Sequence, residues 1–313
     1  MPDADFSRRW RFCVAPMLDW TDTHCRVFHR SLSRHARLYT EMITSPALVH
    51  GNRDRLLRFS EVEHPVACQL GGSDPSELAQ AAKWVAERGY DEVNLNCGCP
   101  SERVQRGSFG ACLMLEAKLV ADCFKAMRDA VDIDVTVKHR IGVDKEDSYG
   151  FVRDFVGTLF DAGCRVFIVH TRAAWLKGLS PKENREVPPL KRDYAYALKK
   201  DFPEAVICVN GAVKTLETAE EIIAAGCDGV MVGREAYQNP WILTDVDARL
   251  FGDETVRAVT RSEIIDRMTA YLKEKVPADP LALRGTTRHM LGLLNGLALS
   301  LIHISEPTRL ALI

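Results

Sequence analysis

Two cysteines stand one residue apart in NLNCGCPS, residues 94–101, directly after a short apolar run. Such a pair can ligate a metal, pack as small hydrophobes, or supply an acid or a nucleophile. A structural zinc site takes about four ligands. Neither a Cys-x-x-Cys nor a nearby histidine completes this pair, so no metal is expected. Cys13, Cys68, Cys112, Cys123, Cys164, Cys208 and Cys227 lie in apolar contexts, where packing is the default. Cys99 differs. It stands between Gly98 and Pro100 on a stiff turn, and a basic, glycine-containing stretch, SERVQRGSFGA (101–111), follows as a candidate lid. An ordinary thiol, with a pKa near ~8.5, is mostly protonated at neutral pH, which suits a general acid.

A turn can only present that thiol if a strand ends there. After residue 11 short β-branched runs alternate with longer helical patterns. The candidate strands are RFCVAPML (11–18), ARLYTEMI (36–43), PVACQLGG (65–72), DEVNLNCG (91–98), DVTVKHRIG (134–142), CRVFIVHTR (164–172), AVICVNGAV (205–213) and CDGVMVGRE (227–235). Asp74-Pro75 and Thr215 read as helix starts, and Gly89, Gly163 and Gly226 as stops. Strands apolar on both faces, each followed by a helix, indicate a parallel sheet covered on both sides. Eight such units fit an α/β fold of the (β/α)8 TIM-barrel kind. A doubly wound dinucleotide sheet is disfavoured, because no GxGxxG follows the first strand.

The barrel is expected over residues 1–245. The pattern then changes to two amphipathic helices, 260–276 and 282–297, joined by PADP, which indicate a C-terminal helical domain over 255–298. Residues 299–309, LSLIHISEPTR, resemble a widely used sequencing-transposon adapter in translation, a natural amphipathic tail being the plain alternative. Residues 299–313 are therefore expected to be a non-native tail.

Composition frames the rest. Of 313 residues, 46% are hydrophobic and 27% charged, which is globular rather than disordered. No apolar run reaches the ~18 residues of a membrane span, and the N-terminus lacks a secretory apolar core. Ten cysteines without a regular framework point to reduced thiols and a cytoplasmic protein, expected to be monomeric. A formal net charge of −2 excludes a wholesale nucleic-acid coat but not a local basic groove.

In a parallel barrel the chemistry sits at the C-terminal strand ends. Those ends carry Pro16, Met17 and Leu18 on the first strand, Gln69 on the third, and Asn94, Asn96, Cys97 and Cys99 on the fourth. Lys138 and Arg140 stand on the fifth, and His170 and Arg172 on the sixth. Asn210-Gly211-Ala212 and Gly233-Arg234 close the last two. Glycine loops after the last two strands, with an arginine, fit a phosphorylated cofactor. Gln69, Lys138 and His170 in the same mouth can hydrogen-bond a flavin edge and stabilise its anionic reduced form. A surface lysine and a core histidine are the plain alternatives. The apolar flanks of VTVKHRIG favour burial of Lys138.

The motifs APMLDWTD, TEMI, QLGG, NLNCGCPS, VKHRIG, HTRAAWLKGLSPKENRE, NGAV and GREAYQNPW together resemble the tRNA-dihydrouridine synthases, most of all their A subgroup, from about Arg11 to Gly296. The resemblance implies an FMN barrel with a helical C-terminal domain, NADPH as reductant and tRNA as partner. Its flavin contacts fall on Pro16, Met17, Leu18, Gln69, Lys138, His170, Asn210, Gly211, Ala212, Gly233 and Arg234. Its catalytic cysteine falls on Cys99, which protonates carbon 5 of a uracil ring as hydride reaches carbon 6. Asn96 falls near the target base, and Lys177, Asn184 and Arg185 in KGLSPKENRE fall on its tRNA loop. The subgroup acts on uridines 20 and 20a of the dihydrouridine loop.

Two basic clusters suit phosphate contacts: Arg53, Arg55 and Arg58, then Lys177, Lys182, Arg185, Lys191 and Arg192. The subgroup's helical domain continues past LGLLNG with tRNA-gripping arginines, which the tail replaces, so weak tRNA binding is expected. The rival readings are an FMN barrel acting on a free pyrimidine or dihydroorotate, and a non-catalytic RNA-binding barrel. Neither a free base nor dihydroorotate would need the KGLSPKENRE loop.

Overall fold

Runs such as VACQLG and VICVN are buried along their whole length, and strands of that kind need cover on both faces. The computed structural model describes residues 4–255 and 257–297; the expected tail at 299–313 lies outside the described residues. Its strands are β1 (Phe12–Val14), β2 (Leu38–Tyr39), β3 (Ile43–Thr44), β4 (Val66–Gly71), β5 (Glu92–Cys97), β6 (Asp134–Arg140), β7 (Val166–His170), β8 (Val206–Asn210) and β9 (Gly229–Val232). All pair in parallel, in the order β1-β9-β8-β7-β6-β5-β4-β2, with β3 also on β4. The ring closes where Cys13 bridges Arg37, with Val14 N–H donating to the Arg37 carbonyl at 2.8 Å. This is the expected eight-position barrel.

Helices Pro75–Glu87, Ala117–Arg128, Tyr149–Asp161, Arg192–Asp201 and Leu216–Ala224 lie between successive strands and cover the outside. Asp74 caps the first of these by accepting from Glu77 N–H at 2.8 Å, and Thr215 caps the last. Strand alternation then divides the core in two. Val93, Leu95 and Cys97 of β5 face the helices, as do Phe167 and Val169 of β7. Cys13, Ala15, Tyr39, Ala67, Val166, Ile168, Val206, Cys208 and Met231 fill the barrel interior, with Trp10 beneath them.

The second expected strand, 36–43, forms as two pieces. Thr40 Oγ1 accepts the Gln69 N–H at 3.0 Å, replacing a backbone partner. The chain is diverted there, and Glu41 accepts the Asp19 N–H of the loop after β1.

The two expected C-terminal helices span Arg261–Lys275 and Ala282–Met290. Thr260 and Glu263 form a capping box at the first start. The second ends earlier than the pattern suggested and tightens into a 3-10 turn, Leu291–Leu294. Both pack on the mouth side of helix Thr23–Leu32. Tyr271 Oη lies 2.8 Å from His24 Nδ1, and Arg288 pairs with Asp22 at 2.6 Å.

Candidate active site

The register puts Gln69 beside Asn94, Asn94 beside Thr136, and Asn96 beside Lys138, so these polar side chains share the barrel interior. Above them β5 ends at Cys97 and the chain turns. The Asn96 amide oxygen shapes this turn by accepting both the Gly98 N–H at 3.1 Å and the Cys99 N–H at 3.0 Å. The two neighbouring cysteines therefore have different fates. Cys97 is fully buried, and burial pushes its thiol well above the ordinary range. Cys99 stays partly exposed, with Sγ 3.5 Å from Ser101 Oγ. Of the ten cysteines eight are buried and two, Cys99 and Cys112, are half-exposed; of these Cys99 is the one on the turn that ends β5. Among the described residues no three of His, Cys, Asp and Glu gather as metal ligands.

The candidate lid folds back on this turn. Ala111 N–H donates to the Cys99 carbonyl at 2.9 Å. Gln105 Nε2 reaches the Pro100 carbonyl at 2.7 Å and the Leu176 carbonyl at 3.0 Å, tying the cysteine loop to the loop after β7. At Gly110, φ is 76°, and an added Cβ would stand 2.6 Å from the Cys99 carbonyl oxygen, so only glycine permits the approach.

Lys138 and His170 face the same space. Among the described residues the Lys138 ammonium has no hydrogen bond or ion pair. Burial, then repulsion from Arg140, pulls its pKa down to about 8. Burial and the charges of Arg140 and Lys138 hold His170 well below the usual imidazole range, so the ring is neutral, and its buried Nδ1 has no partner among the described residues. Leu18 lies 69% exposed after β1, an apolar side chain open at the mouth. Pro16 and Met17 are half-buried behind it, and the Met17 carbonyl accepts the Trp20 and Thr21 N–H groups at 3.1 and 2.9 Å.

A second cluster sits where β7, β8 and β9 end. Gly211 has φ of 119° and Ala212 of 50°, and Asn210 Nδ2 donates to the Met231 carbonyl at 2.7 Å, locking this turn onto β9. Gly233 precedes Arg234, which pairs with Glu186. Arg172 and Arg192 close around the same turn: Arg172 donates to the Pro188 carbonyl, and Arg192 to the Ala212 carbonyl at 2.9 Å. The Nε of both is buried without a partner among the described residues. Burial and the neighbouring Arg234 and Arg192 lower the Arg172 pKa, which marks cations held together without enough anion between them. That arrangement fits a phosphate.

Arg172 was a strand-end residue without a role in the sequence, and Arg192 belonged to a basic cluster expected at RNA. Arg140 is a third residue that sequence left unassigned. Its guanidinium donates to the carbonyls of Gly98 at 3.0 Å, Ala173 at 3.1 Å and Asn184 at 2.7 Å, joining the loops after β5 and β7 to the end of β6. Spacing held a signal for two of these: Arg140 and Arg172 each follow an inward residue, Lys138 and His170, by two positions.

The loop 177–186 divides. Lys177, Lys182 and Arg185 are exposed beside the mouth. Asn184 is fully buried, and its amide bonds to the Trp175 N–H at 2.8 Å and the Trp175 carbonyl at 2.9 Å. It builds the loop instead of facing outward. Lys191 is likewise engaged, with Nζ 2.9 Å from Asp147. In the other basic cluster Arg53 stacks over Trp84 at 4.3 Å.

Residues 13–302 match the sequence profile of the family described as dihydrouridine synthase (Dus). The chain belongs to that family. It is 58% identical over 286 residues to a tRNA-dihydrouridine(20/20a) synthase of Pseudomonas aeruginosa, covering 91% of this chain and 85% of that one. It is 57% identical over 288 residues to one from Escherichia coli K12, covering 92% and 82%, and 56% over 289 to one from Salmonella typhimurium, covering 92% and 86%. Among solved structures, an old yellow enzyme homologue from Zymomonas mobilis superposes with a TM-score of 0.56 at 12% identity, covering 81% of this chain and 92% of that one. At that identity the likeness concerns the barrel alone. As a dihydrouridine synthase the chain is a flavin-dependent oxidoreductase. No helix among the described residues is long and apolar enough to cross a membrane.

Proposed function

We propose that the chain reduces uridines 20 and 20a in the dihydrouridine loop of tRNA to 5,6-dihydrouridine, with FMN bound in the barrel mouth and NADPH as reductant. The observation that carries this reading is Cys99, a half-exposed thiol on an Asn96-shaped turn, above a mouth lined by Lys138 and a neutral His170.

The residues present suit FMN. Among the described residues Lys138 has no partner and the buried His170 Nδ1 is unpaired, while Leu18 offers an apolar surface. Gln69, Lys138 and His170 would meet the ring edge, with Pro16, Met17 and Leu18 against its face. Asn210, Gly211, Ala212, Gly233 and Arg234 would hold the phosphate, joined by Arg172 and Arg192, whose Nε groups lack partners. When bound, the flavin supplies the hydride that reaches carbon 6 of uracil.

The other steps belong to the chain. Cys99 holds a proton at Sγ and delivers it to carbon 5, where negative charge develops. Asn96 fixes the turn from which that thiol acts. Lys177 and Arg185 contact the RNA, Asn184 holding their loop in shape. Extruding a base from its stack costs a few kcal/mol, and less where the loop is already partly unpaired. The exposed cations after β7 and the helical unit beside the mouth favour RNA over a free pyrimidine or dihydroorotate. The enzyme acts in the cytoplasm as a monomer.

Nucleoside mass spectrometry of tRNA from cells lacking the chain, then regaining it, tests the assignment. Dihydrouridine at positions 20 and 20a should vanish and return. Unchanged modification at both would contradict it.

A further inference from the structure

The NLNCG motif contains an asparagine, Asn94, that neither the cofactor nor the substrate reading uses. It is fully buried and belongs to an unbroken line of hydrogen bonds along the barrel interior. Asn96 Nδ2 donates to Gln69 Oε1 at 2.8 Å, and Gln69 Nε2 donates to Asn94 Oδ1 at 2.7 Å. Asn94 Nδ2 donates to Thr136 Oγ1 at 2.7 Å, and the Thr136 hydroxyl donates to Glu92 Oε1 at 2.5 Å. Glu92 sits at the closed end. It also accepts from Trp10 Nε1 at 2.9 Å, Tyr39 Oη at 2.8 Å and Arg37 at 3.1 Å. Burial pushes this carboxyl up, while Arg37 and the donors oppose the shift. Every partner donates, which is the geometry of a carboxylate.

The line has one possible sense. A carboxylate only accepts, so Thr136 must donate to it, and each amide above must then turn its oxygen toward the mouth side. At the top, Asn96 Oδ1 faces the Gly98 and Cys99 N–H groups, which only donate. Both ends impose the same direction. Gln69 cannot flip without setting donor against donor at one neighbour and acceptor against acceptor at the other. Each of its two polar ends keeps one unused position, a single N–H and a single lone pair.

We infer that Glu92, Thr136 and Asn94 are positioning residues, which hold the Gln69 amide in one orientation at the cofactor edge and, through Asn96, hold the Cys99 turn. The inference rests on the proposed flavin site for its consequence, though not for the line itself. Hydrogen bonds aligned head to tail reinforce one another, so a break at the base is felt at the mouth.

Thr136→Val tests this, because valine keeps the shape and removes the hydroxyl that both accepts and donates; Thr136→Ser restores it. The first readout is the side-chain amide resonances of Gln69 and Asn96 in the flavin-free protein, with circular dichroism as the check on folding. The second is the FMN dissociation constant. In Thr136→Val the amides should shift and lose protection from exchange, and FMN should bind at least about tenfold more weakly. Thr136→Ser should stay within about twofold of the parent. A folded Thr136→Val protein with parental amide resonances and parental FMN affinity would overturn the inference, as would failure of serine to restore either. Amides that respond while no form of the protein binds FMN would support the hydrogen-bonded line and overturn the flavin reading alone.

Discussion

Cys99→Ala is expected to lower dihydrouridine formation by about 10²–10⁴-fold, the usual worth of a positioned general acid. Flavin content and the rate of flavin reduction by NADPH should be unchanged. The separation follows from where the residue sits. The side chain leaves the strand only after Cys97, on a turn shaped by Asn96 Oδ1 and backbone N–H groups, so truncating it removes the proton and leaves the turn. Turnover should fall without a matching rise in KM, as for an interaction made only in the transition state. Measuring the reductive half-reaction by stopped flow and product by nucleoside mass spectrometry separates the two steps. Equal loss in both would make Cys99 a structural residue. The same substitution at Cys97 should act differently, by opening a cavity in the outer core and destabilising the fold with no specific effect on the proton step.

Lys138→Met is expected to move stability and cofactor affinity in opposite directions. In the flavin-free chain the ammonium stands beside Arg140 with no counter-charge among the described residues, and its pKa falls to about 8 from the usual 10.5. Between those values the unfolded chain binds more protons than the folded one, so stability rises with pH through that window. At neutral pH the charge therefore costs stability, on the order of 1–3 kcal/mol. Methionine removes the cost at similar length. Flavin-free Lys138→Met should melt about 2–5 °C higher than the parent. FMN affinity should fall about tenfold or more, because the cation that would meet the reduced ring is gone. In the parent, FMN binding should weaken as pH rises above about 8, and that dependence should be absent in the variant. A lower melting temperature together with unchanged FMN affinity would mean that Lys138 serves the fold and not the cofactor.

The barrel was legible because its cause is local. Most strands are short runs buried on both faces, and three of the five covering helices carry a side-chain cap, at Asp74, Ser148 and Thr215. The Cys99 turn was legible for the same reason: Gly98 and Pro100 mark it in the sequence, and Asn96, whose amide oxygen shapes it, lies within three residues. Long-range pairing was not. The break in the second strand depends on Thr40 bonding to Gln69, 29 residues away, and a propensity pattern carries no trace of that. Lys191 looked free for RNA, but it pairs with Asp147, 44 residues earlier. Asn184 lies among charges in KENRE and reads as surface; only the closing of its loop onto Trp175 puts it inside. Arg172 donates to the Pro188 carbonyl and Arg192 to the Ala212 carbonyl, bonds that link positions 16 and 20 residues apart and that neither local pattern announces.

The most direct test of the whole account is made on the oxidative half-reaction. Reduced flavoprotein is mixed anaerobically, in separate syringes, with saturating tRNA bearing uridine at positions 20 and 20a and with free uracil. Flavin absorbance should recover quickly with the tRNA, with two hydrogens gained on each modified ring, and stay bleached with uracil. Recovery with uracil at a comparable rate, or no recovery with the tRNA, would contradict the assignment of a uridine held in RNA as the substrate.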